Sequence, residues 1–269
     1  MTPRYGVIGD VHANLAALSV ALAALERAGV DRILVTGDLV GYGPQPNECI
    51  ERIASLDALC VAGNHDLIVL GELSDARCIP LARDSLRWTK RVLTEDSRSF
   101  LKALPQRVAT KDGVVIAHGS LGDPEEYVTT SQQAARELGR LAEESPGARC
   151  LLLGHTHRPA AFDADGRRLA PRLGGTVALA RSVLLNPGAV GQSREFRARV
   201  RVLILDLERS EAHFAALPYD VAACRRLLRR CGLSPRGCHL RPSPVRAGVR
   251  RLRRLKALWP GAKAAEGVR

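Results

Sequence analysis

Short apolar runs ending in glycine or a polar cluster recur along the chain, separated by stretches with helical spacing. Tyr5-Gly6-Val7-Ile8 leads into Gly9-Asp10-Val11-His12-Ala13-Asn14. Leu15, Leu18, Leu22 and Leu25 then mark one face of an amphipathic helix, predicted over 15–28, capped by Asn14 and ended by Gly29. Residues 33–35 form a second apolar strand, and a second helix is expected from an Asn47 cap to about residue 55. A third strand, 59–62, ends in Gly-Asn-His-Asp, so the front of the chain reads βαβ and predicts a parallel sheet. Residues 72–104 read as helical, with breaks at Pro80 and near Thr94. Lys111-Asp112-Gly113 turns a hairpin between 106–110 and 114–117, and 131–144 is a polar helix. After a strand at 150–153, short strands and turns dominate, with turns at Asp165-Gly166 and Gly174-Gly175. Residues 199–206 and 212–217 pair around Glu208-Arg209-Ser210, and 219–231 forms a basic terminal helix.

The 269 residues suffice for one large α/β domain, and 46% hydrophobic content is ordinary for a globular protein. No apolar run is long enough to span a bilayer, and the first strand starts almost at Met1, so a cytoplasmic location is expected. Seven cysteines without a C-x-x-C pair fit reduced thiols. Cys224, Cys231 and Cys238 recur every seven residues, a spacing better suited to small apolar positions than to a zinc site. The net charge of +12 is uneven: residues 232–269 hold ten Lys or Arg and one Glu. The chain therefore divides into a domain over 1–231 and a basic C-terminal extension over 232–269. Val245, Val249, Leu252, Leu255 and Trp259 place an apolar stripe among the extension's arginines. A weak anionic partner, lipid or nucleic acid, suits that composition, although a solvated, partly disordered extension accounts for it better.

Five polar motifs stand at the ends of apolar runs: Asp10-x-His12, Gly37-Asp38, Gly63-Asn64-His65-Asp66, His118 and Gly154-His155-x-His157. Strand alternation would send Asp10 and His12 out on the same side. In open α/β sheets the strand ends are where ligands bind. Five of the seven histidines lie in these motifs, so the concentration is not compositional. Imidazole mixed with carboxylate suits Mn, Fe, Zn or Co. A carboxylate can bridge two such ions, and a water between them loses its proton readily. Each motif alone has an ordinary structural explanation as a turn, a cap or a core histidine; the set does not.

In order and spacing these motifs resemble the calcineurin-like metallophosphoesterase family over roughly residues 5–217. The resemblance implies a four-layer α/β/β/α sandwich with two divalent ions in a cleft. It implies a metal-dependent hydrolase of small phosphate esters, a phosphodiesterase or phosphatase, using a di-metal-activated water. Carried across, Asp10, His12 and His157 would hold one metal, Asp38 would bridge, and Asn64, His118 and His155 would complete the other. His65 would protonate the leaving oxygen or stabilise the transition state, and Asp66 would orient the His65 ring. The family's protein phosphatases usually carry Asp-Arg-Gly after the second Asp, whereas this chain has Asp38-Leu39-Val40. It is closer to the small prokaryotic branch with Gly-Asp-x-Val-Gly-Tyr-Gly-Pro. The alternatives are protein phosphatase-like or dinucleoside polyphosphate hydrolase activity, or a non-catalytic metal-binding scaffold.

Asn186-Pro187-Gly188-Ala189-Val190-Gly191-Gln192 matches a loop of the same branch. Its amides, through Asn186, Gly188 and Gly191, are candidates for binding phosphate oxygens, or form a tight structural turn. Arg194 would supply the charge that the missing arginine does not, and Tyr42 would line the pocket. Residues 122–144 follow His118 and are placed to cover the cleft.

Overall fold

A computed structural model describes residues 3–169, 175–179 and 182–242. In chain order its strands and helices are β1 (Arg4–Ile8), α1 (Leu15–Arg27), β2 (Arg32–Val35), α2 (Pro46–Ala54), β3 (Ala58–Cys60), α3 (Asn64–Leu70), α4 (Pro80–Val92) and α5 (Glu95–Ala103). There follow β4 (Arg107–Ala109), β5 (Val114–Ala117), α6 (Ser131–Glu144), β6 (Cys150–Leu152), β7 (Ala160–Phe162), β8 (Arg168–Leu169) and β9 (Thr176–Ala178). The chain closes with β10 (Val183–Asn186), β11 (Val200–Asp206), β12 (Glu211–Leu217), α7 (Val221–Arg230) and a 3-10 turn, Pro235–Cys238.

The strands form two six-stranded sheets, ordered β3-β2-β1-β11-β12-β9 and β4-β5-β6-β10-β7-β8. β1, β2 and β3 run parallel, with Val7 opposite Leu34 and Leu34 opposite Leu59. β11 then joins the open edge of β1 antiparallel, Val7 facing Leu203. In the second sheet β5, β6 and β10 are parallel, and β4 and β7 flank them antiparallel.

Strand alternation builds the layers. Tyr5, Val7, Leu203 and Leu205 point inward from the first sheet and meet Val114, Ile116, Leu152 and Leu185 from the second. Ile8, Val35, Val200 and Val202 point outward and bury Leu18 and Leu25 of α1, Ile50 and Ile53 of α2 and Leu101 of α5. On the far side Val115, Leu151 and Leu184 carry Leu138 and Leu141 of α6. The order is therefore helices, sheet, sheet, helix: a four-layer α/β/β/α sandwich. Strands buried on both faces need apolar residues at every position, which is why the sequence shows runs instead of alternation. Among the described residues no helix is long and apolar enough to cross a membrane.

Three local expectations change. α2 starts at Pro46, whose fixed φ suits the first helical position, and Asn47 does not cap it. Asn47 instead donates to Val92 O and accepts from Thr94 N, tying α2 to the α4–α5 junction. The breaks expected at Pro80 and near Thr94 stand as the start of α4 and the α4–α5 junction, but residues 72–79 are irregular; α3 begins earlier, within the Asn-His-Asp motif itself. The 3-10 turn packs on α7 through Cys238, Cys224 and Leu228, and Cys231 stays outside that cluster. Gly174 and the apolar stripe from Val245 to Trp259 lie outside the described residues.

Candidate active site

The donors sit where strands stop. β1 ends at Ile8, β2 at Val35, β5 at Ala117 and β6 at Leu152, and each is followed within a few residues by a motif residue. Beyond the strands the chain turns through left-handed backbone. Asp10, His12, Ala13, Asp38, Tyr42, His155 and His157 all have φ between +47° and +63°. That conformation costs an L-residue about 1–2 kcal/mol. It persists only where the surroundings hold it. Here they do: Asp10 N donates to Gly37 O, His12 N to Asp38 O and Ala13 N to Leu39 O, at 2.8–3.0 Å. Asp10 and His12 thus converge through a stapled left-handed turn and not through strand alternation, because the strand has already ended.

The structure brings all seven expected ligands together. One donor atom from each of Asp10, His12, Asp38 and His157 lies within 4.8 Å of the others, and a second such set joins Asp38, His118 and His155. Asn64 Oδ1 lies 3.1 Å from His118 Nε2, beside the second set. Asp38 is common to both. Its Oδ1 accepts the His65 N–H, and its Oδ2 is buried 3.5 Å from His12 Nε2 and 3.4 Å from His118 Nε2.

Backbone carbonyls set the tautomers. His12 Nδ1 faces Val40 O, His118 Nδ1 faces Thr36 O and His157 Nδ1 faces Gln192 O, at 2.7–3.0 Å. A carbonyl only accepts, so each Nδ1 carries the proton. In neutral His12 and His157 each Nε2 is then bare, and these two nitrogens lie 3.1 Å apart with no proton between them. His155 is reversed: Nε2 donates to Glu125 O, leaving Nδ1 as its lone pair. Asp10 Oδ2 and Asp38 Oδ2 are buried with no hydrogen-bond partner. Converging lone pairs and orphaned carboxylate oxygens in a dry site fit divalent cations.

The electrostatics favour bare imidazoles at three of these positions. Burial holds His12 and His157 well below the usual imidazole range and takes His155 down to about 3. Burial also opposes charge on His118, but the adjoining Asp38 carboxylate outweighs it and lifts His118 to about 9. Burial pushes Asp10 up to about 7, with Asp38 adding to the shift.

Other expected roles move. Asp66 does not orient His65: its carboxylate accepts from the backbone N–H groups of Leu39, Val40 and Gly63 at 2.9–3.2 Å. It fixes the Asp38 loop against α3, where three amides outcompete a ring N–H. His65 Nδ1 is buried without a partner, packed so closely on Gly41 that a Cβ there would lie 2.2 Å away. Asn186, Gly188 and Gly191 are not among the residues that line the cleft. Asn186 Nδ2 donates to Gly154 O and Thr156 Oγ1, and its Oδ1 accepts from Gly188 N. Gly191 N donates to Asp10 O, and a Cβ on Gly191 would meet Val11 O at 1.8 Å. The Gly188 amide is thus taken within its own loop and the Gly191 amide on the Asp10 loop.

Arg194 and Tyr42 do line the cleft, which encloses about 440 Å³ above the donors. Arg194 donates to Gln192 Oε1, Tyr127 Oη and His157 Nε2, at 3.1–3.3 Å. Only part of the 122–144 stretch covers the cleft. Glu125 and Tyr127 line it, whereas α6 is drawn to the back of the second sheet by Leu138 and Leu141. Sequence reasoning missed Gln192, Arg77, Ile79 and Leu240. Gln192 signals only by adjoining the glycine loop, and Leu240 reaches the cleft from outside the predicted domain.

Residues 4–210 match the family model described as the calcineurin-like phosphoesterase superfamily domain. An uncharacterized protein of Methanocaldococcus jannaschii is 30% identical over 221 residues, 80% of this chain and 87% of that one. A crystal structure of a metallophosphoesterase from Sphaerobacter thermophilus is 33% identical, covers 87% of this chain and 95% of that one, and has a TM-score of 0.74. A symmetrical bis(5'-nucleosyl)-tetraphosphatase of Psychromonas ingrahamii is 39% identical over 67 residues, 24% of each chain.

Proposed function

The chain belongs to the calcineurin-like phosphoesterase superfamily, and from that premise we propose that it is a phosphodiesterase or phosphatase acting on small esters. The observation that carries this reading is Asp38, whose carboxylate stands in both donor sets. Asp10, His12, Asp38 and His157 would hold one divalent ion, and Asp38, Asn64, His118 and His155 the other. Mn, Fe, Zn or Co would suit this set, and when bound such ions supply positive charge and an acidified water.

The chain's own residues do the rest. The three carbonyls that hold His12, His118 and His157 at Nδ1 turn each Nε2 inward. Asp66 holds the Asp38 loop rigid, so the shared carboxylate does not drift. Arg194 places a guanidinium at the mouth, matched to phosphate oxygens. His65, buried beside Asp38 and lining the cleft, would exchange a proton with the leaving oxygen. The absence of an arginine after Asp38 speaks against a protein phosphatase. The short match to a dinucleoside tetraphosphatase keeps dinucleoside polyphosphates as the second reading. Intact His65, with every donor type present, speaks against a non-catalytic scaffold. We also propose that the basic extension is separate from the catalytic unit; the packing of Pro235–Cys238 on α7 supports placing the boundary beyond that turn, later than residue 231.

The test is hydrolysis of nitrophenyl phosphate esters by Mn-loaded protein, alongside elemental analysis. Two bound ions and metal-dependent turnover are expected. At most one tightly held ion, or no turnover on mono- or diesters, would overturn the proposal.

A further inference from the structure

The cleft walls carry information about the substrate beyond its phosphate. Two cationic side chains line the cleft among the described residues, Arg77 and Arg194. Arg77 is already paired with Glu125 at 2.9 Å and lies 3.8 Å from Asp123. Arg194 has only neutral acceptors, the Tyr127 hydroxyl, the Gln192 carboxamide and a His157 nitrogen. The walls therefore offer one uncompensated positive side chain, enough for a single phosphate. Each further phosphate of a polyphosphate chain would need cationic partners of its own.

The remaining wall is apolar. Cys78, Ile79, Ala82, Leu240, Tyr42 and Tyr127 share the lining with the donors. Ile79 is 49% exposed and Tyr127 44%, and they are two of the four large apolar side chains left exposed among the described residues. Exposed apolar surface concentrated beside a polar centre marks a place where a ligand is to cover it.

Resting on the phosphoesterase reading above, we infer that the substrate carries one phosphate and an aryl-sized apolar substituent, and is not a polyphosphate chain. Arg194 takes the phosphate charge. Ile79, Leu240 and Tyr127 take the substituent and determine specificity. Hydrolysis adds water across one P–O bond, releasing an alcohol and leaving the phosphate on the other product.

Calorimetry on the full chain, with Mn in excess, separates this inference from its premise because it needs no turnover. Phenylphosphonate is expected to bind about tenfold more tightly than methylphosphonate, the effect of covering one ring. Ile79→Ser and Leu240→Ser should each narrow that ratio. Inorganic tripolyphosphate should bind no better than phosphate. Equal binding of the two phosphonates, or tightest binding by tripolyphosphate, overturns the inference. In parallel, phenyl nitrophenyl phosphate should be hydrolysed faster than its methyl counterpart. If neither diester turns over while phenylphosphonate keeps its advantage, the hydrolase reading falls and the ligand class stands.

Discussion

The floor of the cleft and its rim are built by different rules. On the floor, donors are buried, five of the seven have left-handed backbone, and the ring nitrogens turned away from the cleft end on backbone carbonyls. At the rim, Ile79, Tyr127 and Arg77 are exposed, and the polar contacts of Tyr127 and Arg77 are to other side chains. The floor's geometry is enforced by peptide groups, which every sequence has. What the sequence must supply there is the donor itself and residues small enough for the loops to close. The rim's character lies wholly in side chains, so it can change without disturbing the chemistry beneath.

Four changes test that division, in falling order of effect. Asp38→Asn removes the shared charge and should bring hydrolysis to background, with metal content dropping at both positions by elemental analysis. Retention of two ions would break the claim that one carboxylate serves both sets. His65→Ala should lower turnover about 10²–10⁴-fold, the usual contribution of a positioned proton-transfer group, and leave metal content intact. Loss of metal would make His65 part of the donor set. Gly191→Ala puts a Cβ against Val11 O and should cost about 1–3 kcal/mol, as overpacking does. At this chain length that lowers the thermal midpoint by roughly 2–4 °C per kcal/mol, measurable by calorimetry. An unchanged midpoint would mean that the brace between the two ligand loops is dispensable. Ending the chain after Pro242 keeps Leu240 and the 3-10 turn and should barely move the midpoint or ester hydrolysis. A large loss in either would show that the basic extension belongs to the body.

The floor was legible in the sequence, and the rim only through Tyr42, Arg194 and part of the 122–144 stretch. Strand-end positions announce themselves, because an apolar run gives way abruptly to glycine and a donor. All seven candidate ligands were picked out this way and lie together in the structure, and the hairpin across Lys111-Asp112-Gly113 stands as expected. What failed was the assignment of partners. Asp66 adjoins His65 in sequence, yet its oxygens lie on the amides of Leu39, Val40 and Gly63. Gly188 and Gly191 read equally as a phosphate cradle or a structural turn, and their amides are taken by Asn186 and Asp10. Backbone acceptors leave no trace in a sequence. Neither does Leu240, which joins the cleft only because its N–H meets Ser193 O.

The pairing of β1 has a consequence for synthesis. β1 carries the loop of Asp10 and His12, and it lies between β2 and β11. β2 follows within thirty residues, but β11 begins at Val200. On a ribosome, one edge of the central strand stays open while nearly two hundred residues are made. All seven donors have emerged by His157, well before the strand that completes their support. The nascent chain therefore owns every ligand before it owns the site. Closure waits on a long-range pairing, the slow class of folding event in which half-built sheets are prone to stick to one another.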